Sequence, residues 1–186
     1  MHLLAATDIF GNTTCIHKLL TSLSEKYSSI EIIDPYDGKE IDFRNESDAY
    51  EYFQKNIGLT GYIEKIFQHL QANRTYCEQH LLGFSVGGSA IWAVSAMLDF
   101  ERNTKGICFY SSQIRNLLHI QPRIPIDLYL PKMEPHFNID EVMEALATTP
   151  LVNYFKTPYL HGFMNQKSVN FNRDGYSQYL EILRNA

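Results

Sequence analysis

The sequence predicts a three-layer α/β/α domain on a mostly parallel central sheet, spanning residues 1–186 as one domain. Short continuous apolar runs alternate with segments of helical periodicity, the pattern of strands buried on both faces and covered by helices. At 186 residues and 45% hydrophobic side chains, the chain is large enough to bury both faces of such a sheet, and a second independent domain is not expected.

Leu3–Ala6 is a short apolar run that ends in the turn-forming segment Asp8-Ile9-Phe10-Gly11-Asn12, so it reads as a buried strand entering a loop. Ile16, Leu19, Leu20 and Leu23 recur at helical spacing and predict a helix over Cys15–Leu23. Ile30–Ile33 is the next strand, stopped by Asp34-Pro35-Tyr36-Asp37-Gly38. Between Asp42 and Glu51 polarity is high and periodicity weak, which predicts a surface excursion. Tyr62, Ile63, Ile66, Phe67 and Leu70 mark an amphipathic helix. His80–Phe84 reads as a strand and Gly87–Leu98 as a mostly buried helix, with only a sharp turn between them. Gly106–Tyr110 and Ile126–Leu130 are further strands, the second bracketed by Pro125 and Pro131. A helix over Ile139–Ala147, a strand over Leu151–Phe155 and a helix over Tyr176–Leu183 complete the chain. In such sheets chemistry sits at the carboxyl ends of the strands.

Composition excludes several classes. The net charge is −5 with scattered Lys and Arg, so no basic stripe is present to neutralise a phosphate backbone, and nucleic acid is not an expected partner. The N-terminal apolar run is too short for a signal-peptide core, and no segment has the length of apolar residues needed to span a bilayer. A cytoplasmic protein with no membrane association is therefore expected. Cys15, Cys77 and Cys108 are odd in number and far apart, as small core residues of a reduced protein would be. No histidine pair stands at metal-ligand spacing and no G-x-x-x-x-G-K-S/T loop occurs, so neither a metal nor a cofactor is expected.

Gly83-Phe84-Ser85-Val86-Gly87 matches G-x-S-x-G, in which small flanking residues let the chain reverse sharply and expose the serine hydroxyl at a strand-to-helix turn. The pentapeptide alone also fits a packing turn; the apolar strand before it and the small-residue helix after it favour a nucleophile elbow. A serine nucleophile needs a histidine base oriented by a carboxylate. Among seven histidines, His161 follows the last strand in a loop and fits the chain order Ser, acid, His; the competing reading is a solvated loop histidine. Glu134 lies a few residues past the Ile126–Leu130 strand and is the candidate acid, although an ordinary loop carboxylate could also stand there. Asp127 is inside that strand, and Asp140 and Glu141 read as first-turn helix acids. The oxyanion donors are expected to be the backbone N–H groups of Val86, after the nucleophile, and of Ile9, in the loop after the first strand, with Asp8 near the site.

These residues together resemble the dienelactone hydrolase family of α/β-hydrolases. Asp8-Ile9-Phe10-Gly11 is similar to that family's acidic-Ile-Phe-Gly segment, and Ile33-Asp34-Pro35-Tyr36 falls where a Pro-Asp-Leu-Tyr-like stretch is usual. Gly83–Gly88 resembles its Gly-x-nucleophile-x-Gly-Gly elbow, Pro125–Phe137 its strand leading to the acid, and His161-Gly162-Phe163 its His-x-Phe segment. The resemblance implies a reduced α/β-hydrolase fold, an acyl-enzyme on Ser85, and Glu134 and His161 at the acid and base positions. Dienelactone hydrolase proper has cysteine where Ser85 stands, but many relatives have serine there, which implies a conventional serine esterase; three further positions depart from the family pattern, with Glu134 for Asp, Asp8 for Glu, and Asn165 where an arginine that binds a substrate carboxylate is usual.

Two functions follow as expectations. One is a hydrolase of a carboxylic ester, lactone or thioester acting on a small molecule, with transfer to an alcohol as a variant of the same chemistry. The other is a catalytically inactive hydrolase-like protein that binds a small ligand or partner, which separation of Ser85 from His161 would favour. Phe10, Tyr36, Tyr110, Phe137 and Phe163 fall near strand ends and are candidates for an apolar acyl site or for core. Substrate identity and oligomeric state are not encoded in any feature of the sequence.

Overall fold

The structure is a computed structural model that describes residues 1–73, 78–97, 99 and 103–186. Its strands form one six-stranded sheet in the order β2-β1-β3-β4-β5-β6. They are β1 (His2–Ala6), β2 (Ser29–Ile33), β3 (Glu78–Phe84), β4 (Asn103–Phe109), β5 (Ile126–Leu130) and β6 (Val152–Lys156). Every neighbouring pair is parallel. The helices are α1 (Thr14–Thr21), α2 (Glu46–Asn56), α3 (Gly58–Ala72), α4 (Val86–Val94), α5 (Ile139–Leu146) and α6 (Arg173–Asn185), with a short 3-10 turn at Ser112–Asn116.

Because side chains alternate across a strand, each strand feeds two cores. Leu3, Ala5, Leu82 and Phe109 point to a face covered by α1 and α6 through Leu19, Leu20, Tyr179 and Leu183. Leu4, Ala6, Leu81 and Leu128 point to the other face, which meets Phe53 of α2, Tyr62 and Ile66 of α3, Trp92 of α4 and Val142 of α5. The sheet is thus the middle of three layers. The chain leaves β1 for β2 on one side and returns to β3 on the other, so a topological switch point lies between the carboxyl ends of β1 and β3.

Most elements match the sequence-based expectations, β5 to the residue. The surface excursion expected between Asp42 and Glu51 is corrected: α2 begins at Glu46, capped by the Asn45 side chain accepting the Asp48 N–H. Its core face consists of Ala49 and Phe53 alone, both fully buried, while the intervening positions are polar or exposed. So narrow a stripe gives weak periodicity in sequence. Cys15 is also corrected, since it is half-buried beside Gln166 and is not a core residue, whereas Cys108 is fully buried. Cys77 and the expected helix end at Leu98 lie outside the described residues. Among the described residues, no helix is long and apolar enough to cross a membrane.

Phe53 is the main apolar anchor of α2, so Phe53→Ala is expected to destabilise the protein by about 3–5 kcal/mol in urea unfolding. A change within about 0.5 kcal/mol, typical of surface positions, would mean that α2 does not pack as described.

Candidate functional site

Ser85 lies in the turn between β3 and α4 with φ 51° and ψ −113°, a backbone conformation that L-residues rarely adopt. Its N–H donates to the Phe109 carbonyl at 2.9 Å, which fixes the turn to the neighbouring strand. The glycines around it are required by space. A Cβ on Gly83 would sit 2.4 Å from the Gly88 Cα, and one on Gly87 would sit 2.4 Å from the Ala6 carbonyl oxygen. The start of α4 is therefore pressed directly against β3 and the end of β1.

The other residues come from the carboxyl edge of the same sheet. Glu134 follows β5 in a tight loop closed by a bridge between Glu134 and Phe137. His161 follows β6 and is held from three directions. The Asn170 side-chain amide donates to its carbonyl at 2.9 Å, the Tyr110 ring lies 5.0 Å from the imidazole, and two residues on Phe163 is fully buried.

These loops bring Ser85 Oγ to 3.0 Å from His161 Nε2 and His161 Nδ1 to 2.7 Å from Glu134 Oε1. With the Nδ1–H directed at the carboxylate, Nε2 is left as the acceptor for the Ser85 hydroxyl. The Glu134 side chain is 9% exposed. Burial by itself would raise its carboxyl; the His161 hydrogen bond and charge, joined by Ser112 and the Arg115 guanidinium, outweigh burial and hold it below the ordinary carboxylate value.

Ile9 and Val86 line the same surface cleft as Ser85 and His161. Among the described residues, neither backbone N–H has a protein acceptor. The Ile9 peptide is fixed on both sides, with the Tyr36 hydroxyl donating to its carbonyl at 2.7 Å and the Phe10 N–H donating to Asp8 Oδ1 at 3.0 Å. Asp8 is buried, and Asn165 Nδ2 donates to its Oδ2 at 2.6 Å. Burial raises the Asp8 carboxyl above its ordinary value against the lowering effect of these two hydrogen bonds.

Of the five aromatics considered for an acyl site, only Phe137 lines the cleft, while Phe10, Tyr36, Tyr110 and Phe163 are buried in the core. Sequence reasoning missed three contributors to the site. Glu46 and Tyr50 of α2 form a wall of the cleft, and Ser112 lies beside both Glu134 and His161. The signal that pointed to Glu134, a polar residue shortly after a strand, also applies to Ser112, which follows β4.

No protein-family model matches the chain. It is 33% identical over 146 residues to the uncharacterized protein YczH of Bacillus subtilis, covering 77% of this chain and 70% of that one. A crystal structure of a Klebsiella pneumoniae protein assigned as a dienelactone hydrolase superposes with a TM-score of 0.72 at 12% identity, over 98% of this chain and 84% of that one. A dienelactone hydrolase-like promiscuous phosphotriesterase from metagenomic libraries superposes with a TM-score of 0.67 at 11% identity, over 99% and 84%. These likenesses show the fold, which is that of the α/β-hydrolases.

The lowered Glu134 carboxyl has a consequence for stability. An acid whose folded-state value is depressed contributes stability that is present above its unfolded value, about 4.3, and is lost as the pH falls through the folded value. The stability difference between wild type and Glu134→Gln, measured by urea unfolding, is expected to shrink on going from about pH 6 to about pH 3. A difference as large at the lower pH as at the higher would contradict this state of Glu134.

Proposed function

The chain belongs to the family of Bacillus subtilis YczH, and we propose that it is a serine hydrolase that cleaves a carboxylic ester, lactone or thioester through an acyl-enzyme on Ser85. The observation that carries this reading is the continuous contact from Ser85 Oγ to His161 Nε2 at 3.0 Å and from His161 Nδ1 to Glu134 Oε1 at 2.7 Å. A serine hydroxyl is a poor nucleophile at neutral pH, and a base within hydrogen-bond reach supplies what it lacks.

In this mechanism Ser85 Oγ attacks the substrate carbonyl as its proton passes to His161 Nε2. The imidazolium that forms is stabilised by Glu134, which fixes the tautomer and keeps its own charge without taking the proton. The carbonyl oxygen, now negative, is received by the N–H groups of Val86 and Ile9, whose lack of other acceptors among the described residues leaves them available. His161 then returns its proton to the leaving alcohol or thiol, and the acyl group stays on Ser85. Water attacks the acyl-enzyme with His161 as base, releasing the acid and restoring the serine. No metal or organic cofactor enters any step.

The alternative, a binding protein without catalysis, would be favoured by a serine and histidine out of reach of each other. Their 3.0 Å contact supports the hydrolase instead. Aligned with this, the cleft holding Ser85 also carries Phe137, Tyr50 and Arg115, a mixed lining suited to a small ester with both apolar and polar parts.

A fluorophosphonate probe tests the reading. Mass spectrometry is expected to locate the adduct on Ser85, with labelling abolished in Ser85→Ala and slowed by about a thousandfold or more in His161→Ala. A folded protein that leaves Ser85 unlabelled would overturn the hydrolase and favour the binding function. On any ester that wild type turns over, Glu134→Gln is expected to lower kcat by about a hundredfold or more with little change in KM.

A further inference from the structure

The carboxylate that contacts His161 is a glutamate, with one more rotatable bond than the aspartate usual in the resemblance, and it therefore has more freedom to lose before it can hold an imidazole in one orientation. A second side chain touches both members of this contact. Ser112 Oγ donates to Glu134 Oε1, and the same oxygen lies 2.9 Å from His161 Nδ1. Resting on the hydrolase reading above, we propose that Ser112 is a positioning residue of the site, whose hydroxyl tethers the Glu134 carboxylate and accepts part of the His161 Nδ1–H so that a glutamate can orient the base.

The donors and acceptors fit this role. Ser112 has one hydroxyl proton and two lone pairs; giving the proton to Glu134 leaves lone pairs to face Nδ1–H. The Tyr110 carbonyl, 3.3 Å from the hydroxyl, competes for that proton, but a carboxylate is the stronger acceptor. Ser112 is itself held by its backbone. Its N–H donates to the Tyr110 carbonyl at 2.9 Å, and its carbonyl accepts Arg115 Nη1 at 2.8 Å. The Arg115 guanidinium lies over the Phe137 ring, 4.8 Å from its centroid, and Phe137 pairs with Glu134 across the tight loop after β5. The 3-10 turn after β4 and the acid loop after β5 are thus joined twice, once through Arg115 and Phe137 and once through the hydroxyl of Ser112. During acylation the proton of Ser85 goes to Nε2, the Nδ1–H stays between Glu134 Oε1 and Ser112 Oγ, and Ser112 neither gains nor loses a bond to the substrate.

The test is steady-state kinetics on an ester whose turnover is abolished by Ser85→Ala. Ser112→Ala is expected to lower kcat about tenfold to hundredfold, the loss of one hydrogen bond to a charged group, with KM changed by less than about twofold. Ser112→Thr, which keeps the hydroxyl, is expected to recover most of that loss. In a Glu134→Gln background the same Ser112→Ala change is expected to cost less than about threefold, because there is no carboxylate left to orient. A merely structural serine would give equal losses in both backgrounds. Equal losses, or no loss in the single variant, would overturn the proposal while leaving the hydrolase intact. Absence of any Ser85-dependent turnover would overturn both. Thermal unfolding accompanies each variant; should Ser112→Ala not fold, Ser112→Cys, a weak donor of similar size, carries the same comparison.

Discussion

The close approach of α4 to the sheet governs the rest of the molecule. Gly83 and Gly88 touch backbone to backbone, and Gly87 lies against the carbonyls of Ala6 and Thr7, distances that no side chain could occupy. This contact forces the chain to reverse at Ser85 within one residue, and the strained φ of 51° is what such a reversal costs. The strain is offset by the two cores that clamp the sheet from either side, and the serine hydroxyl reaches the cleft at the carboxyl edge, where it meets His161. The same contact sets the start of α4 beside the end of β1, so Val86 and Ile9 arrive at one cleft without needing any side-chain chemistry of their own.

Around that fixed point the site is assembled from loops that each follow a different strand. β1 supplies Ile9, β3 Ser85, β4 Ser112, β5 Glu134 and β6 His161. A parallel sheet brings these ends to one edge, and its two buried faces keep the edge rigid enough for hydrogen-bond distances to be maintained across it. Buried aromatics carry this rigidity to the histidine loop, where Phe163 stacks on Tyr159 at 5.0 Å and meets Tyr179 of α6 at 5.2 Å. The α2 helix adds the remaining wall of the cleft through Glu46 and Tyr50, so a helix with a slim core face has a direct part in shaping what the site can hold.

The sheet was legible in the sequence because a strand buried on both faces favours a continuous apolar run, as Leu3–Ala6 is, while Ile126–Leu130 is apolar apart from Asp127 and is marked as well by Pro125 and Pro131 at its ends. Ser85 was legible because the elbow needs glycines at fixed offsets. His161 and Glu134 were legible only through their order in the chain and their place after strands, a rule that narrows candidates and cannot by itself prove contact. α2 escaped because two buried side chains, Ala49 and Phe53, give too little periodicity to stand out from polar surroundings. Ser112 escaped for a different reason: serine after a strand is common, and its meaning lies in a meeting with residues 22 and 49 positions away that no local pattern records.

The proposed hydrolase chemistry requires Ser85 to become covalently acylated during turnover. Wild-type protein mixed with a slowly deacylating ester, quenched in acid within the first turnovers and digested for peptide mass analysis, tests it directly. The peptide containing Ser85 is expected to gain the mass of the acyl group and to lose it again as substrate is exhausted. Turnover with an unmodified Ser85 peptide at every time point, or with the acyl group on another residue, would contradict it.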